Sequence, residues 1–343
     1  MTTKPVAFDP KAVKLLAAYK TPGALYAVCL DQVQRTLYGG GTDGALYAVD
    51  LAADKPVAVR KSALHDNYVA DLALRGRMLI SGGYDRKLIW FDLDAGKQVR
   101  TVAAHEGWVR KLALTPDGKR VLSVGDDMLA KVWDAETGKL LATHAGHAGR
   151  TPEGFLSALY ALAVSQDGKH AASGDRAGFV RVWDLNAGKC VADFRAADLY
   201  TFDAQKRSRA IGGIRGLAFS PDGLQLAISG IGSVTNVDGF VGPCRIELWD
   251  WRARKRASIG QGKHHAILNH VAFGPLAPWV IAAGGGDGGG ALVFWDPSGP
   301  DAPHLTKPNG HLHSFVVNSS GARLYAAGHG GFQVWELLGG LAS

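Results

Sequence analysis

The chain has 343 residues, 38 Lys and Arg against 31 Asp and Glu for a net charge of +7, 45 glycines and three cysteines. The basic excess is too small for a nucleic-acid footprint, and no apolar run reaches the roughly eighteen residues of a membrane helix. The N-terminus lacks the apolar core of a signal peptide. Cys29, Cys190 and Cys244 are scattered without metal-ligand spacing, which fits a reducing compartment and a cytoplasmic protein.

Residues 1–10 carry no repeat signal and are expected to form an N-terminal arm. Lys14-Leu15-Leu16-Ala17 then matches Lys139-Leu140-Leu141-Ala142, although no inner strands precede the first copy. The third repeat contains the clearest unit, Leu112 to Asp134. It reads as a strand, a Pro116-Asp117-Gly118 turn, a second strand, a tight acidic turn and a third strand ending Trp133-Asp134. Apolar residues alternate in each run, as half-buried antiparallel strands require. The same ending recurs as Val49-Asp50, Phe91-Asp92, Trp183-Asp184, Trp249-Asp250, Trp295-Asp296 and Trp335-Glu336.

Seven copies at a period near forty residues resemble the WD-repeat β-propeller family, and the likeness covers nearly the whole chain. The resemblance implies an all-β fold, a seven-bladed β-propeller of four-stranded antiparallel blades, forming one domain over residues 11–343. The last repeat lacks a fourth strand, so residues 11–21 are expected to complete it and close the ring, removing exposed edges. It also implies that His105, Ser123, Asp127 and Trp133 form the family's hydrogen-bonded structural tetrad. His65, Ser81 and Asp85 match three of its positions, with Phe91 unable to donate. Recurrence from blade to blade argues against a catalytic triad. In repeat four Ala177 stands where the turn aspartate belongs, with Asp175 two residues early. Trp90, one position off the repeat, should point to the opposite face from Phe91.

The third-strand acidic residues stand 42, 42, 50, 66, 46 and 40 residues apart, so repeats four and five carry insertions. One follows Ala148, a second spans roughly Ala196 to Gly213, and a third lies between Ser229 and Arg245. In the family these loops open on one face, where long loops on a rigid scaffold commonly bind. This raised wall offers Arg150, Glu153, Phe155, Tyr200, Phe202, Lys206, Arg207, Arg209, Asn236, Asp238 and Phe240, a mixture suited to protein partners. Lys206 to Arg209 also has the charge to meet phosphate. On the flatter blades, Tyr68, Tyr84, Trp108, Arg110 and Asp126 take positions that line the top entrance in family members. For Tyr68 and Trp108, blade-to-blade packing competes with partner contact.

Other constellations have plainer readings. His264, His265 and His270 are expected to be structural rather than metal ligands. Gly284 to Gly290 is a strand turn, because no helix follows to hold a phosphate. Arg252, Arg254, Lys255 and Arg256 should form a solvated hairpin tip. The sequence thus points to a monomeric, non-catalytic scaffold that binds a protein or peptide, without cofactor, metal, membrane or nucleic acid. An alternative places a small ligand or anion in the central channel, whose inner strands supply Asp71, Arg110, Lys111, Arg215 and His270. A second alternative is a nucleic-acid-associated propeller.

Overall fold

The computed structural model describes residues 8–204, 209–235, 241–274 and 278–337. They form seven four-stranded antiparallel sheets. Blade one comprises Leu25–Asp31, Thr36–Gly41, Ala45–Asp50 and Ala58–Ala63. The innermost strands of the remaining blades are Val69–Arg75, Val109–Leu114, Leu159–Val164, Gly216–Phe219, Ile267–Phe273 and Leu312–Val317. Each inner strand touches the next, and blade seven touches blade one. The chain is therefore a closed seven-bladed propeller.

The ring closes through the N-terminus. Lys14–Tyr19 pairs antiparallel with Gly331–Glu336, with Leu15 opposite Trp335 and a register shift before Ala17. Blade three repeats this arrangement, placing Leu140 opposite Trp133 with a shift at the same point. Phe8, just before this strand, packs edge-on to Trp279 at 4.9 Å and tilted against Phe294 at 5.3 Å.

The core is a set of layers between blades rather than one central mass. Trp133, Trp90 and Val121 share the layer between blades two and three. Trp90 is fully buried and its indole donates to the Ala135 carbonyl at 2.8 Å, while Phe91 packs toward blade one. One register step thus sends neighbouring aromatics into different layers.

The turns between second and third strands need a left-handed residue. Gly44 serves blade one at φ 75° and Gly178 serves blade four at 85°, but Arg86 and Met128 stand there at 72° and 64°. A side chain in this region costs about 1–2 kcal/mol. Arg86 is exposed. Arg86→Gly should therefore raise stability by about 0.5–1 kcal/mol after the greater freedom of unfolded glycine is offset. A lower denaturation midpoint in the variant would count against this turn strain.

Candidate functional site: the rim of the channel and the wall beside it

In six blades the pairing of the first two strands slips by one residue near its start. The shifts fall between Leu25 and Ala27, Val69 and Asp71, Val109 and Lys111, Leu159 and Ala161, Leu268 and His270, and Leu312 and Ser314. A bulge of this kind re-aims the extra residue's side chain. The residues so placed are Tyr26, Ala70, Arg110, Tyr160, Asn269 and His313, and all six line the mouth of the central channel. Blade five lacks the slip in its strand pairing, and Arg215 lines the mouth from just before its inner strand. Each blade therefore sends at least one residue to the mouth, and Tyr84 and Lys111 join from blades two and three.

These side chains join a ladder of stacked rings. His311 and His329 lie 4.9 Å apart, and His313 stacks on Tyr26 at 4.2 Å with 10° between planes. Tyr26 meets Tyr68 at 5.6 Å, Tyr68 stacks on Tyr84 at 5.3 Å, and Tyr84 on Trp108 at 4.4 Å. Arg110 lies over Tyr84, Trp108 and Tyr160 at 4.9, 4.8 and 5.2 Å, and Arg215 over Tyr160 at 4.1 Å. Such stacking and cation–π contacts fix large side chains at a low entropy cost. Tyr68 and Trp108 remain 37% and 43% exposed, so they pack between blades and also present apolar surface. Arg110 is less available than the sequence suggests. Both ends of its guanidinium edge bind Asp126, at 2.6 and 2.9 Å, and it donates to the Tyr84 hydroxyl at 2.9 Å. Burial works against its charge, yet Asp126 and Tyr84 outweigh burial and hold its pKa above the usual value. It acts as a strut for the rim.

Burial, with His329, His311 and Lys111 nearby, pushes His313 down to about 3, so it is neutral at physiological pH. His270 is likewise pushed down to about 3, by burial and Lys111. Its Nδ1 accepts the Phe315 amide at 3.1 Å, which puts the ring proton on Nε2. Asp71 accepts the Leu112 amide at 2.9 Å and lies 3.7 Å from Lys111. His270, Asp71 and Lys111 line a shaft of about 340 Å³ that adjoins the mouth, while His313 lines the mouth itself.

The insertions of blades four and five meet one another beside this rim. Tyr200–Asp203 and Arg209–Gly212 form a separate hairpin. The Tyr200 hydroxyl bonds Glu153, and Phe155 and Phe202 lie 5.9 Å apart. Arg176, in the turn of blade four, donates to the carbonyls of Leu156 at 3.0 Å and Ala210 at 3.4 Å. The Val234 amide, from the third insertion, donates to Thr201 Oγ1 at 3.0 Å. All three insertions thus make one continuous wall. Arg150 stays exposed and donates to the Gly154 carbonyl at 2.6 Å within its own loop. Lys206, Arg207, Asn236, Asp238 and Phe240 lie outside the described residues, as does the side chain of Arg209.

The tetrads hold the blades. His105 Nδ1 lies 2.8 Å from Asp127 and Nε2 lies 2.7 Å from Ser123 Oγ, which also accepts the Trp133 indole N–H at 2.8 Å. His65, Asp85 and Ser81 repeat the first two contacts. A full set also exists in blade four: His147 with Asp175 at 3.0 Å and Ser173 at 2.9 Å, and Trp183 on Ser173 at 3.0 Å. Asp175, two residues early, still reaches its histidine, so the displacement read in the sequence does not break the chain of bonds. Ser81, Ser123 and Ser173 have no exposed surface, which keeps substrate from their hydroxyls. Burial raises the Asp127 pKa, but the His105 hydrogen bond and the Glu106 and Leu129 amides outweigh it. Its folded pKa is depressed, so the stability it contributes is present above the ordinary carboxylate range and lost as pH falls. Ser123→Ala should cost about 1–3 kcal/mol by removing the hydroxyl that bridges His105 Nε2 and the Trp133 indole N–H. An unchanged denaturation midpoint would remove this bracing role.

Blade five uses a different buried device. Glu247 has no exposed surface. It accepts from Arg245 at 2.7 Å, the Trp249 indole at 2.8 Å and Arg256 at 3.2 Å. Asp198 pairs with the same two arginines at 2.5 and 2.7 Å. Arg256 stays exposed, as expected of the hairpin tip, but is paired with two carboxylates. Arg252 and Arg254 remain at the turn, Arg252 over Trp251 at 4.1 Å. His264 and His265, read from the sequence as part of repeat six, instead end the outermost strand of blade five, Lys255–His265, and His264 Nε2 is buried without a partner. His270 lies 3.2 Å from Ser314. Among the described residues no three His, Cys, Asp or Glu side chains gather as a metal site. No described helix is long and apolar enough to cross a membrane.

The family model "WD domain, G-beta repeat" matches residues 96–134 and 138–184. Over 59 residues the chain is 42% identical to nuclear distribution protein PAC1 of Arthroderma otae, covering 17% of this chain and 13% of that protein. It is 41% identical over 49 residues to nuclear distribution protein nudF 2 of Talaromyces marneffei, covering 14% and 11%. A probable E3 ubiquitin ligase complex SCF subunit, sconB of Arthroderma benhamiae, is 32% identical over 57 residues, covering 17% and 9%. The matches thus span about an eighth or less of those relatives' lengths. Repeats three and four match the WD-repeat family in sequence, and the seven four-stranded blades give the chain a β-propeller fold.

Proposed function

We propose that the protein is a non-catalytic scaffold that binds a protein or peptide on the face bearing the channel rim and the blade four and five wall. The observation carrying this reading is the mutual contact of three insertions beside an exposed aromatic ladder. Insertions that merely drifted in length need not lock together, whereas a shaped recognition surface must be rigid. Exposed Leu156, Phe179, Tyr68 and Trp108 supply apolar anchors, with polar and charged groups between them. Relatives named as a nuclear distribution protein and as a ubiquitin ligase complex subunit accord with a propeller that works through partners. The buried tetrad serines give catalysis no accessible nucleophile. Three unpaired cysteines suit a reducing, cytoplasmic setting.

The test couples Phe155→Ala with Trp108→Ala and compares partner capture, by cross-linking in the native host, with that of the unaltered chain. Affinity for the captured partner should fall more than tenfold, about 1.4 kcal/mol, with the fold retained. Equal capture by the double variant would move the binding surface elsewhere.

A further inference from the structure

The charges at the channel do not balance. Arg110 is neutralised by Asp126 and Lys111 stands against Asp71. Arg215 has no carboxylate partner among the described residues. Its guanidinium lies on the face of Tyr160, its Nη2 donates to the Gly212 carbonyl at 3.2 Å, and its Nε is buried with no acceptor. Burial presses its pKa below the usual guanidinium value; Tyr160 opposes this, while Arg110 and Arg176 add to it. An arginine nevertheless stays charged in a protein. A buried, unsatisfied donor on an unpaired cation is costly, and the fold tolerates few of them.

The surroundings suit one kind of occupant. Arg215 lines both the mouth, a space of about 90 Å³, and the adjoining shaft. Arg110 and Arg215 both lie over the Tyr160 ring, so negative charge placed there offsets the unpaired charge of Arg215 and the repulsion it feels from Arg110. The other mouth residues, Tyr26, Ala70, Tyr84, Lys111, Asn269 and His313, carry no negative charge, and the mouth holds no carboxylate of its own. The small volume admits a single charged group rather than a nucleotide. A planar guanidinium binds oxyanions best, through parallel N–H bonds.

We propose that the mouth of the channel is an oxyanion site in which Arg215 binds one carboxylate or phosphate group. The group is either a free small anion or the acidic side chain of a segment docked on this face. The second source rests on the peptide-binding reading above; the first does not.

The test measures melting of the purified full chain in inorganic phosphate, N-acetyl-glutamate amide and N-acetyl-phosphoserine amide, each against chloride at equal ionic strength. Saturable stabilisation is expected, and Arg215→Met should weaken the apparent affinity at least tenfold. Without added oxyanion, Arg215→Met should melt higher than the natural chain, because an unpaired buried cation is gone. Arg215→Lys, which keeps charge but loses the fork, should give an intermediate affinity and carries the comparison if the methionine variant fails to fold. Tighter binding of either amide than of phosphate assigns the site to a peptide side chain; tighter phosphate assigns it to a free anion. Stabilisation no greater than in chloride, or equal in natural and Arg215→Met chains, overturns the oxyanion site. In that event, loss of partner capture in the Phe155 and Trp108 double variant would still leave the scaffold reading standing.

Discussion

Removing residues 1–21 should convert the protein from a folded ring into an aggregating or oligomeric species. Those residues include Lys14–Tyr19, which covers the whole length of Gly331–Glu336. Without it, blade seven ends on an open strand whose backbone donors and acceptors face solvent, a template for edge pairing. The loss also strips the packing of Phe8 from Trp279 and of Ala17 and Tyr19 from the layer between blades seven and one. Gel filtration and light scattering read the outcome directly. A truncated chain that stays monomeric with an unchanged melting temperature would show that the ring does not depend on this closure.

Glu247→Ala should cost about 3–5 kcal/mol, the range for breaking a buried ion pair from one side. The substitution leaves Arg245, only 7% exposed, with Asp198 and Gln261 but without its buried partner, and orphans the Trp249 indole. Glu247→Gln keeps an acceptor for the indole, so its loss should be smaller. The ordering of these two variants in denaturant midpoint is the sharper measurement. A loss below about 1 kcal/mol for alanine would mean that water replaces the carboxylate, contrary to its enclosure.

Much of the ring is legible in the sequence because its signals are local. Alternating apolar residues, acidic turns and the third-strand ending each fall within a few positions, and the spare strand at Lys14 repeats a recognisable segment. The cluster around Glu247 is not readable this way. Its partners come from the connection before the blade, Asp198, and from the following strand, Arg256, and nothing in their spacing announces a meeting. The tetrad of blade four is masked for a related reason: the insertion separates His147 from its inner strand, and Asp175 lies outside the expected turn position. The rim depends on register. Tyr26, Ala70, Arg110, Tyr160 and His313 take the second position of their inner strands and Asn269 the third, a column visible on alignment of the repeats. That the column faces the mouth follows from a backbone slip that alternation alone does not predict.

That repeated slip separates two things that selection usually has to change together. Backbone pairing sets where the side chain points, and the same pairing accommodates Ala70 in one blade and Arg110 in the next. The side chain itself contributes little to whether the blade forms. A lineage of such rings can therefore rewrite its mouth one blade at a time, trading ring, amide, cation or methyl, while every intermediate remains folded. The frame is constant in six blades, and blade five, which lacks the slip, reaches the same mouth through Arg215 from just before its inner strand.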